Sequence, residues 1–369
     1  MTTIELDQDG PRRLLSGVLP TALEIAGARR RLHAKAALIL TIDAVSYALL
    51  VFVPLPWWGR VLSAIALAHG LLATATGIMH DANHGAFARR RRVNQVLAYS
   101  ADALGASSWL WRFQHNDLHH RHTNVEGVDT DIDQAPFARL SPSQTWKPWH
   151  RYQHLYMWPL YGFLTLQWFV ASDFKSLAVG GMGTTKFRTK PNRRQLSRLF
   201  AGKVVHAGWA LALPMLLHPV WQVLLTYVAV SWSVGFALAL IFQVAHCVDD
   251  ADFVAEDTNP RGDDLVRHQL RTTVDVDLPG RIQRAYLGFL TGGLEHQVEH
   301  HLAPRLPHTL YGTMARRVSA MCEANGLRHR IHPSPRAALA SHVAWLREMG
   351  RRPAATTTAA SSRRAAEAA

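Results

Sequence analysis

The chain has 369 residues, 48% of them apolar, and a formal charge of +13. A mean hydropathy of -0.03 is too polar for a bundle buried wholly in lipid, and that average hides long apolar runs alternating with segments rich in His, Arg and Asp. Only two cysteines, Cys247 and Cys322, are present; this excludes a disulfide framework and a four-cysteine iron–sulfur cluster. The basic residues flank apolar runs and no helix-turn-helix or zinc-finger signature occurs, so the charge points to a membrane and away from nucleic acid.

In chain order, residues 1–34 read as a cytoplasmic N-terminal segment. Met1–Gly27 carries acids and lacks an apolar core behind a basic start, so it does not read as a cleaved signal peptide. A membrane crossing needs roughly 20 apolar residues. Residues 35–53 and 61–79 qualify, joined by the Pro- and Trp-rich turn PLPWWGR. Residues 156–170 are apolar and aromatic but shorter, and are broken by Pro159 and Gly162, as suits an interfacial helix. Residues 204–217 and 220–245 form a second apolar pair, split at His218-Pro219. A helical C-terminal segment is expected at 326–350. Residues 351–369, rich in Ala, Thr, Ser and Arg, read as a disordered tail.

Orientation follows from charge. Arg29–Arg31 and Lys35 precede the first span, Arg89–Arg92 follow the second, and Lys186–Arg198 carries six basic residues before the third. Positive flanks stay in the cytoplasm, so the two short turns face outward. The His-rich stretches at 80–122 and 246–301 then lie on one side, because two crossings separate them. The expected architecture is an all-α membrane protein: four transmembrane helices in two hairpins, under a cytoplasmic helical cap. The basic stretch 186–198 also fits a phosphorylated acyl carrier or lipid head groups, although topology alone explains it.

Many of the 21 histidines are grouped. His80 and His84 sit in HDANH; His115, His119 and His120 in HNDLHH; His246 ends FQVAH; Gln297, His300 and His301 sit in QVEHH. Residues four apart share a helix face, so each group can aim imidazoles at one point. Neutral imidazole suits iron, copper and zinc, and this many donors suggest two ions rather than one. His122 and His296 fall just outside the groups and read as neighbours of the ligands or solvent-facing. His150, His154, His206, His218 and His308 read as ordinary interface residues. Asp81, Asp117 and Glu299 lie within the boxes, with Asp249 and Asp250 beyond His246. A ligating histidine usually gives its second N–H to a carboxylate or carbonyl, and Asp81, Asp117 and Glu299 are candidates for that role. Asp43 and His69 are polar residues inside the first two spans; a mutual pair near the end of a substrate groove and a local hydrogen bond to backbone are both open readings.

These motifs, H-x3-H at 80–84, H-x3-HH at 115–120 and Q-x2-HH at 297–301, together with HHRHTN, HQLRTTVDV and GGLEHQVEHHLAPRLPH, resemble the integral-membrane fatty acid desaturases and related hydroxylases. The resemblance covers roughly residues 30 to 325, with a desaturase domain at 35–325. It implies a centre of two iron ions held by His80, His84, His115, His119, His120, His246, His300 and His301, with Gln297 where many relatives have His. It also implies a fatty acyl substrate (acyl-CoA or acyl-lipid), O2, and an active site on the cytoplasmic side of the cell membrane. Many relatives with Gln at this position carry a fused cytochrome b5 domain with an HPGG motif. That motif is missing here, so a separate ferredoxin or cytochrome with its reductase is the expected donor. A di-iron hydroxylase or alkane-type monooxygenase begins with the same hydrogen abstraction and stays open at this point. A metal transporter would instead need ligands along its spans.

Overall fold

The computed structural model describes residues 13–255 and 260–353. Expectations for the extreme N-terminus and for most of the 351–369 tail lie outside the described residues. The fold is helical; among the described residues the only strands are a two-residue hairpin, Gly181–Met182 with Thr185–Lys186, and a short parallel pair, Asp275–Val276 with Ile331–His332.

Among the described residues, three helices are long and apolar enough to cross a membrane: α1 (Ala22–Phe52), α2 (Trp57–His84) and Val220–His246. Helix α1 starts well before residue 35. Thr21 caps it by accepting from Glu24 N, and the Glu24 carboxylate returns to Thr21 N, a reciprocal box that satisfies free N–H groups of the first turn. At 31 residues α1 is about 46 Å long, longer than a hydrocarbon core of roughly 30 Å. Its basic first turns therefore project beyond lipid, where Arg29–Arg31 belong.

Helix α2 runs without a break through the first histidine box, but Thr74–Met79 is wound as a π-helix. A later segment wedges there. The Thr76 hydroxyl bonds Leu290 O at 2.7 Å, and a Cβ on Gly292 would stand 2.5 Å from Thr76 O. Gly292 also has φ +62°, so only glycine serves both demands.

Between the spans come α3 (Arg91–Ala98), α4 (108–119, its second half the π-helix Phe113–His119) and α5 (Gln153–Tyr161). The chain from α5 onward is broken at Gly162, where it packs closely on Gly235, and Thr165 bonds Ser231 O at 2.8 Å. The expected helix at 156–170 is thus several short pieces laid along the Val220–His246 helix. Helix α6 (Asp173–Val179) follows. Then α7 (193–215) runs as one rod through a π-turn at Gly208–Ala212. The expected span 204–217 is the far half of this rod. Its near half carries Arg193, Arg194, Arg198 and Lys203, which keeps it out of the set of long apolar helices. Lys203 is buried and donates to Gly105 O (2.6 Å), Trp168 O (2.7 Å) and Asp173 Oδ2 (2.6 Å). Asp173 also takes Ser107 N–H. This knot anchors the loop that launches α4. Removing one partner of such a buried pair costs about 3–5 kcal/mol.

Helix α8 (Val220–His246) ends at a ligand candidate. The turn between α1 and α2 lies beside the turn between α7 and α8: His218 Nε2 meets Val51 O at 2.8 Å and Arg60 donates to Gln222 at 2.9 Å. The remaining elements cover the histidine end: α9 (Gly262–Thr272), α10 (Arg281–Thr291), α11 (Gln297–Leu302), α12 (Tyr311–Ala324) and α13 (Pro335–Gly350). Helix α13 lies on α5 and α8, where His342 bridges Tyr161 OH (2.8 Å) and Cys247 O (2.7 Å).

Asp43 and His69 do not pair. Asp43 accepts from Thr74 at 2.6 Å, while His69 meets Ile65 O and Tyr286 OH, each at 2.7 Å. They sit on different faces of the helix pair and each finds a nearer partner.

Candidate metal centre

The chain returns to one place from four directions: the end of α2, the π-turn of α4, the end of α8 and the short helix α11. In the α4 turn His120 N bonds His115 O. Because a π-turn closes on the fifth residue, His119 and His120 both flank His115 on one side. An α-helix would have turned His120 away by about 100° per residue.

Two sets of donors form. His80, His84, His115 and His300 offer nitrogens within 4.8 Å of one another, as do His119, His246 and His301, with His120 between His300 and His301 in a third set. The Nε2 atoms face each other: His80 to His115 at 3.3 Å, His115 to His120 at 3.2 Å, His119 to His301 at 3.2 Å. The Nε2 atoms of His84, His246 and His300 are buried without a partner. Buried polar nitrogens are rarely left so, and lone pairs pointed at each other repel unless a cation sits among them. The donor set fits imidazole-binding divalent iron. Gln297 is buried at the first position of α11, one turn before His301 and on the same face.

Four of the outward nitrogens are held by other groups, whereas Nδ1 of His80 and of His120 is buried without a hydrogen-bond partner. His119 Nδ1–H donates to Asp129 Oδ2 at 2.9 Å, and Asp131 lies 4.0 Å from the same nitrogen and 3.7 Å from His115 Nδ1. His246 Nδ1–H points to Thr272 O at 3.4 Å, and His300 Nδ1 meets Tyr311 OH at 3.2 Å. His301 Nδ1 meets the Thr123 hydroxyl at 3.2 Å. Gln269 binds both Thr123 and His120 O, and His268 bonds Thr123 O. With Nδ1 engaged as donor, Nε2 keeps its lone pair for a metal.

Burial holds these imidazoles neutral. His119 is pushed down to about 3, and His120, His300 and His301 fall well below the ordinary value of 6.5 because a charge there would be desolvated. Burial raises Asp129 to about 6, partly offset by N–H donors from Asn124 and Asp131.

The carboxylates named from sequence divide differently. Asp81 approaches His80 at 3.9 Å but bonds His308 at 3.0 Å, and His308 in turn meets Lys35 at 3.1 Å. His308 thus belongs to the surround of the centre rather than to a plain interface. Asp117 is exposed, and Glu299 faces Asp275, His296 and His329 instead of an imidazole of the two sets. Asp129, Asp131, Thr123, Gln269, Thr272 and Tyr311 take the positioning role that spacing within the boxes could not reveal. Thr123 lies in HHRHTN and Gln269 and Thr272 in HQLRTTVDV, both motifs of the resemblance, and Asp129 and Asp131 follow just beyond HHRHTN in DTD.

On the lipid side Trp111 packs against His80, His84 and His115. It joins Leu71, Leu104, Trp168 and Leu238 around Ala75 and Met79. From Leu71 and Leu104 an apolar cavity of about 100 Å³ continues between α1, α2, α7 and α8, past Trp209 and Tyr227 to the hairpin turns.

The fatty acid desaturase family model matches residues 55–333. The sn-1 linoleoyl-lipid 6-desaturase of Arthrospira platensis is 30% identical over 87% of this chain and 86% of its own length. That of Synechocystis sp. is 31% identical over 83% and 85%. An acyl-lipid (8-3)-desaturase of Physcomitrium patens is 33% identical over 80% of this chain and 62% of its own. With most of its length matched and every histidine box inside the match, the chain belongs to the fatty acid desaturase family.

Proposed function

We propose that this oxidoreductase desaturates an acyl chain carried on a membrane lipid, using two iron ions held by His80, His84, His115, His119, His120, His246, His300 and His301, with Gln297 beside them. The observation that carries the reading is the convergence of Nε2 atoms from four distant segments, several of them orphaned, with Nδ1 atoms engaged outside. Bound iron would supply the oxidising power to take two hydrogens from a CH2–CH2 unit, with O2, two electrons and two protons leaving as two waters. The chain's own residues orient that centre, exclude water and lay the alkyl chain beside it. The cavity along Leu71, Leu104 and Trp209 lies between helices and is mainly apolar, as suits a lipid tail, and at about 100 Å³ it must widen to admit one. The linoleoyl-lipid and acyl-lipid desaturases among the relatives support a lipid carrier, and they favour desaturation over hydroxylation.

The topology that accompanies this reading has four crossings, α7 serving as the third. Adjacency of the turns at Val51 and His218 supports it, since both hairpin tips then share the outer side. His80, His84 and His246 then lie at the opposite ends of their helices, at the cytoplasmic face. The reaction needs two electrons, and in this reading a separate ferredoxin or cytochrome with its reductase supplies them.

The test is a gas chromatography–mass spectrometry profile of lipids from a bacterial host expressing the chain with a ferredoxin and its reductase, beside His119→Ala. A new double bond absent from the variant supports the reading. A new hydroxyl group moves it to the hydroxylase, and purified chain without iron overturns it.

A further inference from the structure

Behind the histidine cluster a second polar knot is built from the same short helix. Glu299 lies between Val298 and His300 on α11, and successive helical residues diverge by about 100°. Its carboxylate therefore leaves the helix in another direction from His300 and His301. Glu299 is wholly buried, and neither of its oxygens has a hydrogen-bond partner. Asp275, 2% exposed, stands beside it on the strand Asp275–Val276. One Asp275 oxygen accepts Val298 N–H at 2.8 Å, and the other accepts His329 Nε2 at 2.9 Å. His329 is held from behind by Ser319 Oγ at 2.9 Å, and its Nε2 lies 3.6 Å from Glu299. His296 Nδ1 lies 3.9 Å from the other Glu299 oxygen.

Two carboxylates are thus buried together, and the groups that approach them in ion-pair geometry are the histidines His296 and His329. Burying a charge without compensation is costly, and paired groups or bound metal ions are the usual remedy. A shared proton would neutralise one carboxylate. A divalent ion would neutralise both and take up the orphaned Glu299 oxygens. Donor atoms of Asp275, His296 and Glu299 all lie within 4.8 Å of one another. Bonds of about 2.1 Å to one ion place donors roughly 3–4 Å apart, so small side-chain movements close the set. Two carboxylate oxygens and one imidazole suit zinc, manganese or ferrous iron. The His296 side chain is 27% exposed, which gives an ion and its waters a way in.

We propose that Asp275, His296 and Glu299 form a separate mononuclear site for a divalent first-row metal ion, with His329 orienting Asp275. The ion joins α11 to the strand at Asp275 and so steadies the helix that presents His300 and His301. The experiment uses the full chain in detergent, loaded with iron, then titrated with Mn2+ and read by electron paramagnetic resonance and elemental analysis. The wild type is expected to take up one Mn2+ that His296→Gln does not, while both hold the same iron. Asp275→Asn, which keeps an acceptor for Val298 N–H, should lose the same single ion. Equal Mn2+ uptake by all three proteins overturns the site and leaves a shared proton between the carboxylates. Loss of iron together with Mn2+ in both variants overturns its separateness. Wild-type chain that binds Mn2+ here but no iron would count against the proposed function alone.

Discussion

Replacing Asp129 by Asn tests how far the centre depends on a residue outside every histidine box. Asp129 Oδ2 takes His119 Nδ1–H at 2.9 Å and Asn124 N–H at 2.9 Å, and Oδ1 takes Asp131 N–H at 3.0 Å. The first two contacts are buried and the third partly so, with Asp129 1% exposed and His119 fully enclosed. Asparagine keeps the volume but has one acceptor. With its oxygen towards His119, its NH2 confronts Asp131 N–H, and a buried unsatisfied donor costs about 1–3 kcal/mol. The negative charge that makes the His119 contact charge-assisted is also gone. Loss of such a partner typically lowers metal affinity by roughly 10–100-fold, or about 1.4–2.8 kcal/mol. Asp117→Asn, an exposed box residue, is the control and should change nothing. Iron affinity is measured by anaerobic competition with a chelator on purified protein, alongside melting temperature. If Asp129→Asn holds iron as tightly as wild type, or Asp117→Asn releases it, the assignment of positioning groups made from this geometry is refuted.

Tyr311→Phe removes only the hydroxyl that meets His300 Nδ1 and keeps the buried ring; iron should bind about two- to tenfold more weakly, by the same competition assay, with the melting temperature little changed. The apoprotein should lose stability in acid. Burial lowers His119 to about 3 and His268 and His342 to about 4 from 6.5. Folding thus expels their protons, so the stability they contribute is present above pH 6.5 and drains away as pH falls towards 4 and then 3; a flat melting temperature across that window would contradict it. Leu216→Cys, 80% exposed in the turn between α7 and α8, should react with a membrane-impermeant maleimide on intact cells, whereas Arg91→Cys should react only after lysis. Both native cysteines are buried and should stay silent.

Much of the centre is legible in the chain because helical spacing is local. His80 and His84 share a face, and His246 falls where an apolar run ends. The π-turn at Phe113–His119 is not legible, since nothing in FQHNDLH distinguishes an i→i+5 turn from an α-helical one. Asp129, Thr272 and Tyr311 reach their imidazoles across 10, 26 and 11 residues of chain. Such contacts depend on where loops and later helices dock, which periodicity does not encode. The span expected at 204–217 was read from its apolar half alone, whereas the continuous rod begins among arginines at 193. Asp43 and His69 look like partners by depth, but helix rotation sends them to Thr74 and Tyr286.

The ligand candidates are strung from His80 to His301, and Tyr311, which holds His300, comes later still. During synthesis the N-terminal parts emerge first. The long apolar helices can therefore be inserted in the bilayer while the histidine pocket lacks a wall. Only when α11 and α12 have left the ribosome and docked can the last imidazoles turn inward. A chain stalled before residue 300 would be a properly threaded membrane protein that cannot mature. Iron loading is thus a report on completed translation, and the step at which cellular quality control could tell a finished molecule from a fragment.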